Sequence, residues 1–221
     1  MQKFQVIVAD PPWSFSDSLN MSDVARSAKA NYNTMTIGQI KDLKVKEITS
    51  PDGAILALWV PSSLLQEGLD VMKAWGFKHK QTYIWVKTKK QPFLILLKSL
   101  FKGLKQEKFD IKNLFKGFSL NDTLAFGMGR LFRQTHEICL IGVSNNKLYK
   151  LLKNKSQRSV SLEQNLKHSK KPDYLQNSLE IMFPDTEKLE IFARRELNGW
   201  TCIGNEVCNG EDITVSLAKL L

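Results

Sequence analysis

Cysteine and histidine are scarce in this chain of 221 residues, with three of each. Cys139, Cys202 and Cys208 cannot all pair, and the sequence opens on no secretory signal. Reduced thiols in an intracellular compartment are therefore expected, cytoplasmic if the source is prokaryotic or a phage. No histidine stands at zinc-ligand spacing from a cysteine, so no metal is expected. Long apolar runs are missing as well. GAILALWV and FLILL fall far short of the roughly 20 residues that a bilayer-spanning helix needs, which argues against a membrane partner. Acidic residues are outnumbered, 22 Asp and Glu against 32 Lys and Arg, giving a net charge of +10 and a pI near 9.5. A balance of that sign favours a polyanionic partner such as nucleic acid.

What is present can build one sizeable core. Of the residues, 43% are hydrophobic, and 1–221 reads as a single domain without repeat, low-complexity tract or linker. Strand-like runs at 4–9, 54–60, 82–86, 137–143, 188–192 and 200–203 alternate with helical patterns at 62–75 and 172–182. This alternation predicts an α/β fold, a mostly parallel central sheet flanked by helices. Residues 20–36, polar and rich in Ser, Asn and Ala, read as a long loop, a lid or a disordered segment. A basic amphipathic insertion occupies about 89–126. Within it Lys98, Lys102, Lys105 and Lys108 recur every three or four residues beside Leu94, Leu97, Phe101 and Leu104. Such a segment is an ordinary solvated helix, a surface whose lysines reach phosphates or, as a third and less favoured reading, a membrane-surface helix, because its apolar face could equally pack on the domain.

From Val6 to Phe15 the sequence reads VIVADPPWSF. The β-branched run predicts a buried strand, and Pro11 and Pro12 stop it. Asp10 then stands at the carboxyl end of a strand, where open sheets bind ligands. The prolines stiffen the turn, fixing the Asp10 side chain and the Pro11 carbonyl beside the flat ring of Trp13. Two acceptors and a stacking plate suit a planar heterocycle that carries an exocyclic amine.

The tetrapeptide DPPW resembles the catalytic motif of the MT-A70 family of N(6)-adenine methyltransferases. Further blocks appear in the family's order: NYNTM at 31–35, GAILALWV at 53–60 and WGFKHKQTYIWVKT at 75–88. Then come GMGRLFRQTHEICLIGV at 127–143, HSKKPD at 168–173 and LEIFARRELNGWTCIGNE at 189–206, so the resemblance covers nearly the whole chain. It departs from the eukaryotic messenger-RNA enzyme in the greater length of region 89–126. It departs again in ARREL, where Glu196 and Leu197 stand in place of a His and an Asn. The catalytic strand lies close to the start of the sequence, so a cofactor contact made upstream of it is not expected.

The resemblance implies a Rossmann-like S-adenosylmethionine-dependent methyltransferase fold with circularly permuted motif order, the catalytic turn preceding the cofactor turn. It implies that Asp10 and the Pro11 carbonyl hold the amine hydrogens, aiming the nitrogen lone pair at the methyl donor. Trp13 or the Pro12 ring would stack on the base. For the cofactor S-adenosylmethionine, and its product S-adenosylhomocysteine, it implies Lys171 at the methionine carboxylate, Arg194, Asn205 and Glu206 at ribose and adenine, and Asp10 at the amine. Asn205 also reads as a turn residue after Gly204. Tyr32 is either a second aromatic contact to the base or an anchor of its loop. Lys98, Lys102 and Lys105 are candidate phosphate contacts. Trp59 and Trp85 lie in strands and read as core, and Glu190 has no assigned role.

Together these implications describe methyl transfer to the N(6) amine of adenine in nucleic acid, the base being extruded from a duplex or taken from a single strand. DNA is the expected polymer, because the chain reads as a compact catalytic domain without an appended RNA-binding module; RNA is the alternative. A chain acting alone, as a homodimer or beside a heteromeric partner fits equally. A non-catalytic nucleic-acid-binding partner subunit is the reading from another class. Such members typically lose the acidic tetrapeptide, which is intact here.

Overall fold

The computed structural model describes residues 2–14, 34–104, 119–127, 129, 131–165, 170–207 and 210–221, without the side chains of 99, 100 and 102–104. Tyr32 and Lys105 lie outside the described residues, as does the loop up to residue 33. Of Lys102 only the helical backbone is described.

The predicted strands form where the apolar runs are densest. β1 (Val6–Ala9) and β2 (Ile55–Val60) are buried along their whole length, the pattern of strands covered on both faces. They pair in parallel, Ala9 opposite Leu58. On its other side β1 pairs in parallel with β6 (Lys188–Ile191), which pairs in parallel with β7 (Thr201–Ile203). β4 (His136–Val143) runs antiparallel to β2, and β3 (Lys78–Thr88) is parallel to β5 (Val160–Gln164). Among the described residues the sheet has seven strands in the order β5-β3-β4-β2-β1-β6-β7, so the expected α/β architecture with a mostly parallel sheet is present.

Helices follow the periodic segments. α1 (Ile37–Lys41) and α2 (Val45–Ile48) are short and precede β2. α3 (Leu65–Ala74) follows a 3-10 turn at Ser62–Leu64. Within it Gly68 lets the helix lie against the sheet, because an added Cβ would stand 2.6 Å from a Val60 methyl and 3.2 Å from Leu140. α4 (Pro92–Leu104) starts at a proline, which the first helical turn tolerates, α5 (Tyr174–Met182) precedes β6, and α6 (Ile213–Leu220) ends the chain. Among the described residues no helix is long and apolar enough to cross a membrane.

The chain divides into two compact units. The larger comprises Met1–Tyr83, Ile138–Gln157 and Gln176–Leu221 and holds a continuous core in which Phe4, Ile7, Leu56, Leu58, Met72 and Trp75 are fully buried. Trp59 is buried there as the sequence suggested. The smaller comprises Ile84–Glu137 and Arg158–Leu175 and carries β5, α4 and the buried Trp85, whose Nε1–H donates to the Glu163 carbonyl at 3.2 Å. Its sequence holds 15 Lys and Arg against 6 Asp and Glu, so nine of the ten net positive charges belong to it.

Candidate active site

In the larger unit β1, β6 and β7 are parallel, with Ala9 opposite Ile191 and Ile191 opposite Ile203. The residues that follow these strands therefore leave the sheet at one edge: 10–13, 192–194 and 204–206. Carboxyl edges of this kind are where open α/β sheets bind ligands.

Asp10 is half-buried at the start of the first turn. Pro11 is buried, and its carbonyl, an oxygen with two lone pairs, accepts the Trp13 N–H at 2.9 Å, closing a tight turn. The Pro12 carbonyl accepts the Met35 N–H at 2.9 Å, and Ser14 N–H donates to the Met35 carbonyl at 3.2 Å, which stitches the turn to the segment entering α1. Trp13 turns inward. It is 5% exposed, and its Nε1–H donates to the Trp59 carbonyl of β2 at 2.9 Å. Where the sequence suggested a stacking plate, the packing makes this indole an anchor in the core. Of the two candidate stacking rings, the half-buried Pro12 keeps open surface.

After β6 the backbone adopts an unusual conformation. Phe192 has φ of 64°, in the left-handed region that costs a residue with a side chain about 1–3 kcal/mol. The bend lets Ala193 N–H donate to the Ile203 carbonyl at 2.9 Å. Gly204 lies against the same bend, and an added Cβ would stand 2.4 Å from the Ala193 carbonyl oxygen. The two turns thus cross backbone on backbone. Arg194 Nε lies 3.5 Å from Glu206 Oε1, joining them at the surface. A pair this exposed contributes at most about 1 kcal/mol, so it orders the side chains more than it stabilises the fold. Asn205 is exposed between them. Behind this edge Glu190 accepts Gln176 Nε2–H at 3.3 Å, and Glu180 accepts Trp200 Nε1–H at 2.6 Å. Burial pushes the neighbouring Cys202 thiol up, with Glu190 and Glu196 adding to the effect.

Lys171 belongs to a cluster inside the smaller unit. Its Nζ lies 3.2 Å from one oxygen of Glu137, and Lys87 Nζ lies 2.6 Å from the other. Burial pushes the Glu137 carboxyl up, but the Lys171 and Lys87 ammoniums outweigh it and hold it below the usual carboxylate range. Lys87 also stands over the Trp85 ring, 5.2 Å from its centre. Neither Glu137 nor Lys87 was singled out by sequence reasoning. The signal was a charge within the apolar runs WVKT and HEICLIGV, a position that holds charge when a partner is built beside it. Lys98 is exposed on α4 in the same unit. Among the described residues no three His, Cys, Asp or Glu gather as a metal site.

Comparison with known proteins fits this geometry. The MT-A70 family model matches residues 4–108 and 110–206, a span that takes in all three turns and the lysine–glutamate cluster. An N(6)-adenosine-methyltransferase MT-A70-like protein of Arabidopsis thaliana is 27% identical over 206 residues, covering 92% of this chain and 24% of the relative. The N(6)-adenosine-methyltransferase catalytic subunit METTL3 of Homo sapiens is 25% identical over 207 residues, 93% of this chain and 28% of its own. The type II methyltransferase M.MunI of a Mycoplasma species is 23% identical over 221 residues, 93% of this chain and 78% of its own. This chain spans about a quarter of the length of the plant and insect relatives it matches. With nearly its whole length matched, from the strand before Asp10 to the turn at Glu206, the chain belongs to the MT-A70 family.

Proposed function

We propose that this protein transfers a methyl group from S-adenosylmethionine to the N(6) amine of adenine in nucleic acid. The observation that carries the proposal is Asp10. This half-buried carboxylate leaves the carboxyl edge of β1 on a turn held by two prolines and by the hydrogen bond from Trp13 to Trp59. The names of the plant and human relatives, N(6)-adenosine methyltransferases, support the same chemistry. DNA is the polymer we favour over RNA, because the relative most fully spanned among those compared is named a type II methyltransferase.

Methyltransferases of this family use S-adenosylmethionine in general, and the residues at the sheet edge fit it. Gly204 leaves the crossed turns without a side chain, Asp10 and Glu206 can accept from amine and hydroxyl hydrogens, and Arg194 can donate. In the proposal Arg194, Asn205 and Glu206 hold the nucleoside part, Asp10 takes the amine, and Lys171 has the role the resemblance implies, at the carboxylate. When bound, the group supplies a methyl on a positively charged sulfur.

The adenine amine is a weak nucleophile because its lone pair is delocalised into the ring. Asp10 accepts one amine hydrogen and the second lone pair of the Pro11 carbonyl accepts the other, which aims the nitrogen lone pair at the donor. Both acceptors are fixed before the base arrives, so the rate comes from orientation and preorganised electrostatics. The proton leaves once the nitrogen has been alkylated and is strongly acidic, and no strong base is needed. The Pro12 ring is the surface on which the base stacks, and Lys98, Lys102 and Lys105 follow the phosphates.

The test is transfer from labelled S-adenosylmethionine to duplex DNA, single-stranded DNA and RNA, followed by digestion to nucleosides and mass spectrometry. The expected product is N(6)-methyladenine in DNA, lost in Asp10→Ala. Methylation of RNA alone would replace the polymer, and no transfer to any of the three would overturn the reading.

A further inference from the structure

The smaller unit carries nine of the ten net positive charges, and its surface also holds the two most exposed large apolar side chains of the described residues. Leu131 is 93% exposed and Phe132 88%. They are presented by a short loop whose mouth is closed by Gly127 N–H donating to the Gln134 carbonyl at 2.8 Å. Gly129 makes the tight return workable, since an added Cβ would stand 2.0 Å from the Phe132 carbonyl oxygen. At the base of the loop the exposed Arg133 guanidinium sits over the Phe126 ring, 5.9 Å from its centre. Lys89, Lys90 and Lys98 are exposed on the same unit.

Two large apolar groups held out in water give up the stabilisation that burial would bring. A second copy of this chain is a poor occupant, because it would bring surfaces of the same strong positive charge together. A polyanion whose interior is a stack of apolar faces satisfies both features. Proteins that deform nucleic acid insert such side chains between base steps, partly unstacking them, while neighbouring cations hold the phosphates. An adenine amine inside a duplex is reached by opening that stack.

We infer that Leu131 and Phe132 form an apolar wedge that enters the base stack of the bound nucleic acid, with Arg133 and the exposed lysines as its phosphate flank. This deepens the proposed function and rests on it.

The experiment uses the full chain. All five native tryptophans are buried, so Phe132→Trp adds a single exposed emitter at the wedge without removing its aromatic character. Titration with a mixed-sequence DNA duplex should quench that emission as the introduced indole stacks on bases. Replacing Leu131 and Phe132 together by Ala should weaken duplex binding by about ten-fold or more. The slope of log affinity against log salt should stay unchanged, since an apolar contact releases no counterions. No quenching and unchanged affinity, in a protein that still binds and methylates, would overturn the wedge and leave the proposed function standing. Failure of the unmodified chain to bind or methylate any polymer would overturn both. Self-association lost in the Leu131 and Phe132 variant, with duplex binding intact, would assign the loop to contacts between copies and overturn the wedge.

Discussion

Asp10 and Glu137 are both partly buried carboxylates, yet only one of them could be read in advance. Asp10 sits in a local motif whose neighbours in sequence are also its neighbours in space. Glu137 owes its role to Lys87 and to Lys171, 34 positions further on, and no local pattern links them. Under the proposed mechanism, replacing Asp10 by Asn keeps the size and one acceptor oxygen but removes the negative charge that strengthens the hold on an amine hydrogen. Methyl transfer should fall by about 10²–10³-fold, measured as kcat with the melting temperature as the control for folding. Glu137 has its folded pKa below its unfolded one. Its contribution to stability is therefore complete above the ordinary glutamate range and is lost as the pH falls through the folded value. Thermal melts should show the wild type losing stability over that acidic window. Glu137→Gln should be less stable at neutral pH and flatter across the window, because the glutamine cannot titrate and leaves the ammoniums without their anion.

At the scale of elements, the buried parallel strands were visible because their residues are apolar on both faces. β5 was not, since its two apolar residues, Val160 and Leu162, are exposed while Ser161 between them is buried, the reverse of the usual alternation. α1 and α2 are too short for a helical period. The first nonetheless carries a readable start signal, a capping box in which Thr36 accepts the Gln39 N–H at 3.2 Å and Gln39 Oε1 accepts the Thr36 N–H at 2.8 Å. Two glycines test how the elements meet. Gly68→Ala pushes α3 against Val60 and Leu140, whose side chains can partly yield, so a loss of about 1–3 kcal/mol in denaturant unfolding is expected. Gly204→Ala meets the Ala193 carbonyl, which is backbone and yields less readily. It should part the two crossed turns and weaken S-adenosylmethionine binding, measured by calorimetry, by a larger factor than it changes nucleic-acid affinity.

Across the whole molecule the charge is distributed unevenly. The larger unit is nearly neutral, with 17 Lys and Arg against 16 Asp and Glu, while the smaller one carries the excess. Composition alone reported +10 and pointed to a polyanion, but a total cannot say where the charge stands. If Lys98, Lys102 and Lys105 each neutralise a phosphate of duplex DNA, replacing all three with glutamine should lower the slope of log affinity against log salt by about 0.9 per contact, close to three in all. An unchanged slope would remove them from the interface.

The sequence by itself determined the α/β class, the family's motif order and the carboxylate–diproline–tryptophan turn, because these are written in residues adjacent along the chain or in a repeating apolar pattern. Only the tertiary structure decided that the turns at 10–13, 192–194 and 204–206 share an edge, because strand register is set by packing across the sheet and not by any one strand. It also decided that Trp13 faces the core, through a hydrogen bond to a carbonyl 46 residues away, and that Lys171 meets Glu137. Such pairings join positions far apart in the chain, and they arise when burial requires polar and charged groups to find partners.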